Sequence, residues 1–224
     1  MKKAIAILLS LTMILGLAAC GNSASQTEQP STEDTSVESK ADTNSAENST
    51  DMENTDNQDV QDHKVLVAYF SATGTTKGVA EHIANGLNAD IYEIVPEDPY
   101  TDADLNYNDN NSRTTIEMND PNARPAISGS VENMEQYDII FVGYPIWWGE
   151  APRIVSTFME SYDFSGKTIV PFCTSGGSGI DSSASNLERL TSGATWLDGR
   201  RLNGSDSQDT VMECVNSLDL NLAE

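Results

Sequence analysis

Apolar residues fall into two blocks along this chain, separated by a long polar stretch. The first is a short run, Ala4 to Leu17. The second begins at Lys64 and alternates between two periodicities. Val65-Leu66-Val67-Ala68-Tyr69-Phe70 is continuously apolar, the pattern of a strand buried on both faces. Thr75 to Leu87 places Val79, Ala80, Ile83, Ala84 and Leu87 at helical spacing. Asp90 to Val95 predicts a second strand closed by Pro96, and residues 97–130, rich in Asn, Asp and Pro, predict a long insertion. Asp138 to Tyr144 predicts a third strand, Pro152 to Met159 a helix with Pro in its first turn, and Thr168 to Thr174 a fourth strand. Ser182 to Leu190 then predicts a helix, Thr195 to Leu202 a fifth strand, and Ser207 to Leu218 a closing helix. Strands alternating with helices imply right-handed βαβ units. The expected fold is α/β: a doubly wound five-stranded parallel sheet of order 2-1-3-4-5, with ligands at the carboxyl ends of the strands beside the switch between strands 1 and 3.

The first apolar run has a different meaning. Lys2 and Lys3 precede it, and Leu17-Ala18-Ala19-Cys20 closes it. A basic start, an apolar centre too short to span a membrane and small residues before a cut describe a secretory signal peptide. Leu-Ala-Ala-Cys in this position resembles the lipobox of bacterial lipoproteins. That resemblance implies removal of residues 1–19, diacylglycerol on the Cys20 thiol and a chain held outside the cytoplasm at the cell membrane. Residues 20–63 carry almost nothing to bury and read as a disordered acidic tether, which leaves 64–224 as the globular domain.

Charge narrows the partners. The formal net charge is -23, and from Lys64 onward 24 acidic residues face 9 basic ones. Such a field repels nucleic acid and anionic headgroups, so contact with the membrane is expected through the lipid alone and an electrostatic protein partner should present a basic face. With Cys20 assigned to lipid, Cys173 and Cys214 remain, and nothing in their spacing brings them together; Cys173, which ends an apolar run, reads as a buried thiol. His63 and His82 are isolated, and no metal-ligand cluster is visible.

The chemistry lies in the turns after strands 1, 3 and 4. Ser71-Ala72-Thr73-Gly74-Thr75-Thr76 leads from a strand into a helix and offers four hydroxyls at a helix start, the features of a phosphate cradle; a simple N-cap would need one. No GxxxxGK[ST] or GxGxxG motif is present, which argues against a nucleoside triphosphate or a dinucleotide. Pro145-Ile146-Trp147-Trp148-Gly149 places two indoles in a loop, one of them free to offer a flat ring to a flat ligand, with a glycine peptide able to reorient. Thr174-Ser175-Gly176-Gly177-Ser178-Gly179 exposes backbone N–H groups suited to the polar edge of a heterocycle.

Together these loops are similar to the flavin-binding loops of the flavodoxin family. The likeness runs from Lys64 to the C-terminus, and its SxTGxT-type, PIWWG and TSGGSG turns carry it. The run N-S-R-T-T-I-E-x-N-D-P-x-x-R-P at 111–125 resembles a lipoprotein-type bacterial subgroup. The resemblance implies FMN as cofactor. Ser71, Thr73, Gly74, Thr75 and Thr76 would hold its phosphate, Trp147 or Trp148, in the loop with Pro145, Ile146 and Gly149, would stack on the ring, and Thr174, Ser175, Gly176, Gly177 and Gly179 would meet its edge. Thr75 stands where many of that family carry Asn. The resemblance gives no chemistry to residues 97–130, so Arg113, Glu117 and Arg124 read as a structural polar cluster. The implied function is electron transfer with a redox partner protein or small acceptor. An FMN-dependent NAD(P)H:acceptor reductase of the quinone type and a non-redox binding lipoprotein are the alternatives.

Overall fold

A computed structural model of the protein describes residues 63–218 and Leu220. The expected signal peptide, the expected lipid site at Cys20 and the expected tether up to residue 62 lie outside the described residues.

The central strand β1 (Val65–Tyr69) is buried along its whole length, as its unbroken apolar sequence requires. It lies between β2 (Asp90–Glu93) and, skipping a two-stranded ribbon of β3 (Val95–Pro96) and β4 (Ile127–Ser128), β5 (Ile139–Pro145). β6 (Thr168–Thr174) pairs with β5, and β7 (Thr195–Trp196) and β8 (Arg200–Leu202) both pair with β6. All pairs in this sheet are parallel. The order is the expected 2-1-3-4-5, with the fifth strand divided.

The division has a visible cause. β6 carries Pro171, which has no N–H to donate to a neighbour. Opposite it the ladder breaks: Ile169 pairs with Trp196 and Phe172 with Arg200, so Leu197, Asp198 and Gly199 oppose only Val170 and Pro171. One extra residue bulges there. Gly199 is a close fit, since a Cβ at that position would sit 2.9 Å from Ile180 Cδ1 and 3.2 Å from Pro171 Cγ.

Strand alternation sorts the core onto two faces. Val65, Val67, Tyr69, Phe141 and Phe172 meet Val79 and Ile83 of α1 (Thr75–Leu87) and Val211 and Val215 of α5 (Gln208–Asn216). Leu66, Ala68, Phe70, Ile140, Val142 and Tyr144 meet Ile154, Val155 and Phe158 of α3 (Arg153–Glu160) and Leu187 of α4 (Asp181–Glu188). The insertion contains a helix that its polar sequence did not announce, α2 (Arg113–Asn119). The β3–β4 ribbon closes its base.

Register places the loops. Tyr69 pairs with Gly143, and Pro145 with Thr174, so the chains leaving β1, β5 and β6 emerge along one rim of the sheet.

Candidate functional site

A cavity of about 490 Å³ opens on that rim, within the range usual for small-molecule and cofactor pockets. All three loops singled out from the sequence reach it. Its lining includes Ser71, Thr73, Thr75, Thr76, Pro145, Ile146, Trp147, Trp148, Thr174, Ser175 and Gly176. Gly74, Gly149, Gly177 and Gly179 stand outside the lining, so these four glycines shape the turns and do not form the wall.

At the start of α1 the chain turns through Gly74, whose φ of +85° is left-handed and favours glycine. No side chain caps the helix despite the hydroxyls around it. The first-turn N–H groups of any helix lack intrahelical partners, and the dipole favours an anion there. Thr73 Oγ1 lies 3.4 Å from Thr75 Oγ1, and both residues are exposed at the cavity. Thr76 behaves differently. It is buried, and its hydroxyl lies 2.8 Å from that of Thr174, which ties the α1 loop to the end of β6.

The tandem indoles divide their roles. Trp147 packs edge-on against Phe70, centroids 5.5 Å apart, and against Tyr100 at 5.4 Å, and so belongs to the core margin. Trp148 is 47% exposed and stands free. Trp147 and Glu150 exchange two backbone hydrogen bonds of 2.9 Å, and the residues between them both have positive φ, Trp148 +50° and Gly149 +81°. This is a two-residue type I′ hairpin, whose first central position normally holds Asn, Asp or Gly. Placing Trp there costs about 1 kcal/mol. Glu150 fixes the hairpin to α4 by accepting from Asn186 Nδ2 at 2.7 Å and Ser182 Oγ at 3.1 Å.

The glycine-rich turn after β6 spends part of its backbone internally. Ser175 Oγ accepts from the N–H groups of Gly177 at 3.1 Å and Ser178 at 2.8 Å. The expectation that Gly177 offers its N–H to a ligand edge is therefore not what the geometry displays. Gly176 remains at the cavity wall. The carbonyl of Thr174 accepts from the Ile146 N–H at 3.0 Å, joining this turn to the indole loop.

Sequence reasoning missed two parts of the wall. Asn203 and Gly204 follow β8, and a Cβ at Gly204 would collide with the Thr75 methyl group. The rule that ligands gather at the carboxyl ends of the strands, extended to the fifth strand, pointed there. Leu105, Tyr107 and Thr114 come from the insertion. The only sequence signal for them was a pair of isolated large side chains in a polar segment.

The insertion's charged residues form two separate contacts and not one cluster. Arg113 Nε donates to Glu117 at 2.7 Å and its guanidinium lies 4.1 Å from the Tyr100 ring centre, while Tyr100 donates to Glu117 at 2.6 Å. Burial, then the hydrogen bond to Glu117, drives the Tyr100 phenol well above its ordinary value. Arg124 instead makes a bidentate pair with Glu160 of α3 at 2.6 and 2.8 Å. That pair holds the Glu160 carboxyl below its usual range.

Among the described residues no charged side chain lines the cavity. Anion affinity would come from hydroxyls and backbone N–H groups alone. Cys173, one residue before the rim, is a buried free thiol pushed up to about 11 by burial, which makes it a poor nucleophile near neutral pH. Cys214 is likewise free. Among the described residues no group of three or more His, Cys, Asp or Glu gathers to hold a metal ion.

A doubly wound parallel sheet with a hydroxyl-ringed helix start and an aromatic loop at its switch point defines a flavodoxin-like α/β protein. The chain belongs to the Flavodoxin family, whose pattern it matches over residues 64–218. Among solved structures, a Bacteroides eggerthii protein proposed to be a flavoprotein is 46% identical, with TM-score 0.66, covering 70% of this chain and 98% of its own. A Bacteroides uniformis counterpart is 45% identical, with TM-score 0.66, covering 69% of this chain and 98% of its own. A Lactobacillus acidophilus flavoprotein in complex with FMN shares the fold at 24% identity and TM-score 0.51, covering 62% of this chain and 93% of its own. No curated protein matches the chain.

Proposed function

We propose that the chain holds one FMN in this cavity and uses it for extracytoplasmic electron transfer, anchored to the membrane by lipid on Cys20. The observation that carries the reading is the uncapped start of α1, ringed by hydroxyls, in the same cavity as the free indole of Trp148. A phosphate and a planar ring are the two ligand parts such a pairing suits. The family and the FMN held by the Lactobacillus protein support the choice of ligand.

Bound FMN would supply a ring that accepts and returns electrons. The protein's part is to bind, orient and polarise. Thr73 and Thr75, with Ser71, would donate hydroxyls to the phosphate, and the first N–H groups of α1 would neutralise it without a lysine or arginine. Thr76 would act indirectly, holding the cradle to β6 through Thr174. Trp148 would stack on the ring, held in place by its strained hairpin and by Glu150. Ser175 and Gly176 would meet the ring's edge. The domain from Lys64 onward, with 24 acidic residues against 9 basic ones, disfavours a further negative charge on the ring, so the last electron is expected at a potential below that of free FMN. The same field suits a redox partner with a basic face.

The test is to mix the purified full-length chain with FMN. The expected result is stoichiometric uptake, seen as a protein-bound visible flavin spectrum, and a potential below that of the free cofactor. A chain that stays colourless would overturn the reading and favour a non-redox binding role. Membrane attachment is checked separately: Cys20→Ser is expected to move the protein from the membrane fraction to the soluble one.

A further inference from the structure

A separate pocket of about 310 Å³ opens among α3, α4 and the segment that follows α2. Its volume is at the small end of the range for ligand sites. It shares no lining residue with the rim cavity, so it stands apart from the FMN reading. Glu150, Arg153, Ser156, Asn186, Leu187 and Leu190 supply its chemistry.

Two opposite charges line this pocket without an ionic partner. Among the described residues Arg153 makes no salt bridge. Its guanidinium donates to backbone carbonyls, from Nη2 to Met118 at 3.0 Å and from Nε to Glu117 at 3.4 Å, and Nη1 is left uncommitted. Glu150 meets no cation either. It accepts from the neutral Asn186 Nδ2 and Ser182 Oγ, and the Asn186 amide is oriented for this because its Oδ1 accepts from Arg189 at 2.8 Å. Arg124 reaches the pocket too, but is spent on Glu160. In a domain where 24 acidic residues face 9 basic ones, an arginine without a carboxylate needs an explanation.

Ser156 gives an independent sign. The residue is only 6% exposed and lines the pocket, yet among the described residues its hydroxyl has no hydrogen-bond partner. A helix serine can return its hydroxyl to the carbonyl four residues back, as Ser161 does to Thr157 at 2.6 Å. Ser156 does not. A buried hydroxyl left unpaired costs stability, and a ligand that accepts from it removes the cost. Ser156 lies three residues after Arg153 on α3, so the two share a helix face.

We infer that this pocket binds a small zwitterion, an α-amino acid with an apolar side chain. Its carboxylate would meet Arg153 Nη1 and the Ser156 hydroxyl, its ammonium Glu150, and its side chain Leu187 and Leu190. A simple anion would face an uncompensated Glu150, and a simple cation an uncompensated Arg153. A ligand carrying both charges satisfies both.

The experiment titrates the full-length chain, with and without FMN, with L-leucine, L-valine and L-methionine. Binding of at least one is expected, read by calorimetry and as a rise in melting temperature. Removing either charge from leucine, as in 4-methylpentanoate or 3-methylbutylamine, should weaken binding about tenfold or more. Arg153→Gln is expected to abolish binding. Because Arg153 also holds the end of α2, Ser156→Ala is the second variant. It should weaken binding about tenfold and leave the ligand-free melting temperature equal or higher, since its hydroxyl has no partner to lose. A merely structural serine would do the opposite, lowering the melting temperature with binding intact. The proposal is overturned if none of the three amino acids binds at about 10 mM, if either singly charged analogue binds as tightly as leucine, or if either variant keeps wild-type affinity.

Discussion

The starts of α1 and α5 are made from the same residue types and behave in opposite ways. At α5, Ser207 accepts from the Thr210 N–H at 3.3 Å, so the side chain caps the helix. At α1, three threonines and Gly74 surround the first turn and no side chain caps it. Ser112 of α2 caps its helix as Ser207 does, accepting from Thr115. α3 and α4 also start without a side-chain cap, but at Pro152 and Ile180, which have no hydroxyl to offer; the start that has hydroxyls at hand and leaves them unused is the one on the cavity. Capping by Ser or Thr contributes about 1 kcal/mol, so the start of α1 forgoes local stability and leaves its donors for something else. The hairpin at Trp148 follows the same logic, holding a large ring in a left-handed conformation.

This contrast can be broken experimentally. The largest effect is expected from the double substitution Thr73→Val and Thr75→Val. It should weaken FMN binding by roughly 100-fold, the loss of two hydrogen bonds to a charged group, yet leave the FMN-free melting temperature nearly unchanged. Isothermal titration and thermal denaturation read the two quantities. Next is Trp148→Asn, which relieves the strained turn. FMN affinity should fall about tenfold while the FMN-free protein gains about 1 kcal/mol in denaturant unfolding. Ser207→Ala should do the reverse, costing about 1 kcal/mol of stability with FMN affinity intact.

The smallest effect concerns Arg124 and Glu160, away from the cavity. Arg124→Ala should cost at most about 1 kcal/mol, because both side chains are partly in water. Glu160 has its folded value lowered by this pair, so its contribution is present above the ordinary carboxylate value. It is lost as pH falls through the folded value. Urea unfolding at pH 7 and at about pH 3 should therefore show the variant's deficit shrinking at the lower pH.

Much of the fold could be read in the chain because burial on both faces leaves a strong mark. β1, β5 and β6 stand out as apolar runs, and the sheet order follows from their connections. The fifth strand was expected to be continuous from Thr195 to Leu202; the bulge opposite Pro171 depends on a neighbouring strand, which periodicity does not encode. α2 escaped notice because its burial is carried by Thr114, Thr115 and Met118, two of them polar.

At the cavity, hydroxyls and indoles were legible as chemical types, while their commitments were not. Nothing in the sequence separates Thr76, spent on Thr174, from Thr75, which faces the cavity. Nor does it show that Ser175 takes up the Gly177 N–H. Such bonds form between residues distant in the chain or depend on how a turn closes. Tyr107 stood out only as an isolated large side chain, since the polar segment around it does not tell that the insertion reaches the cavity.

The direction of β1 has a consequence for how the domain would present itself. Lys64 lies at the amino end of the strand, clamped by its N–H to Asp138 at 3.0 Å and by its ammonium to Asp90 at 3.2 Å. The cavity opens beyond the other end, roughly 17 Å of strand away. The chain's entry into the sheet and the mouth of the cavity lie at opposite ends of β1. Whatever enters the cavity therefore approaches the sheet from the side away from Lys64.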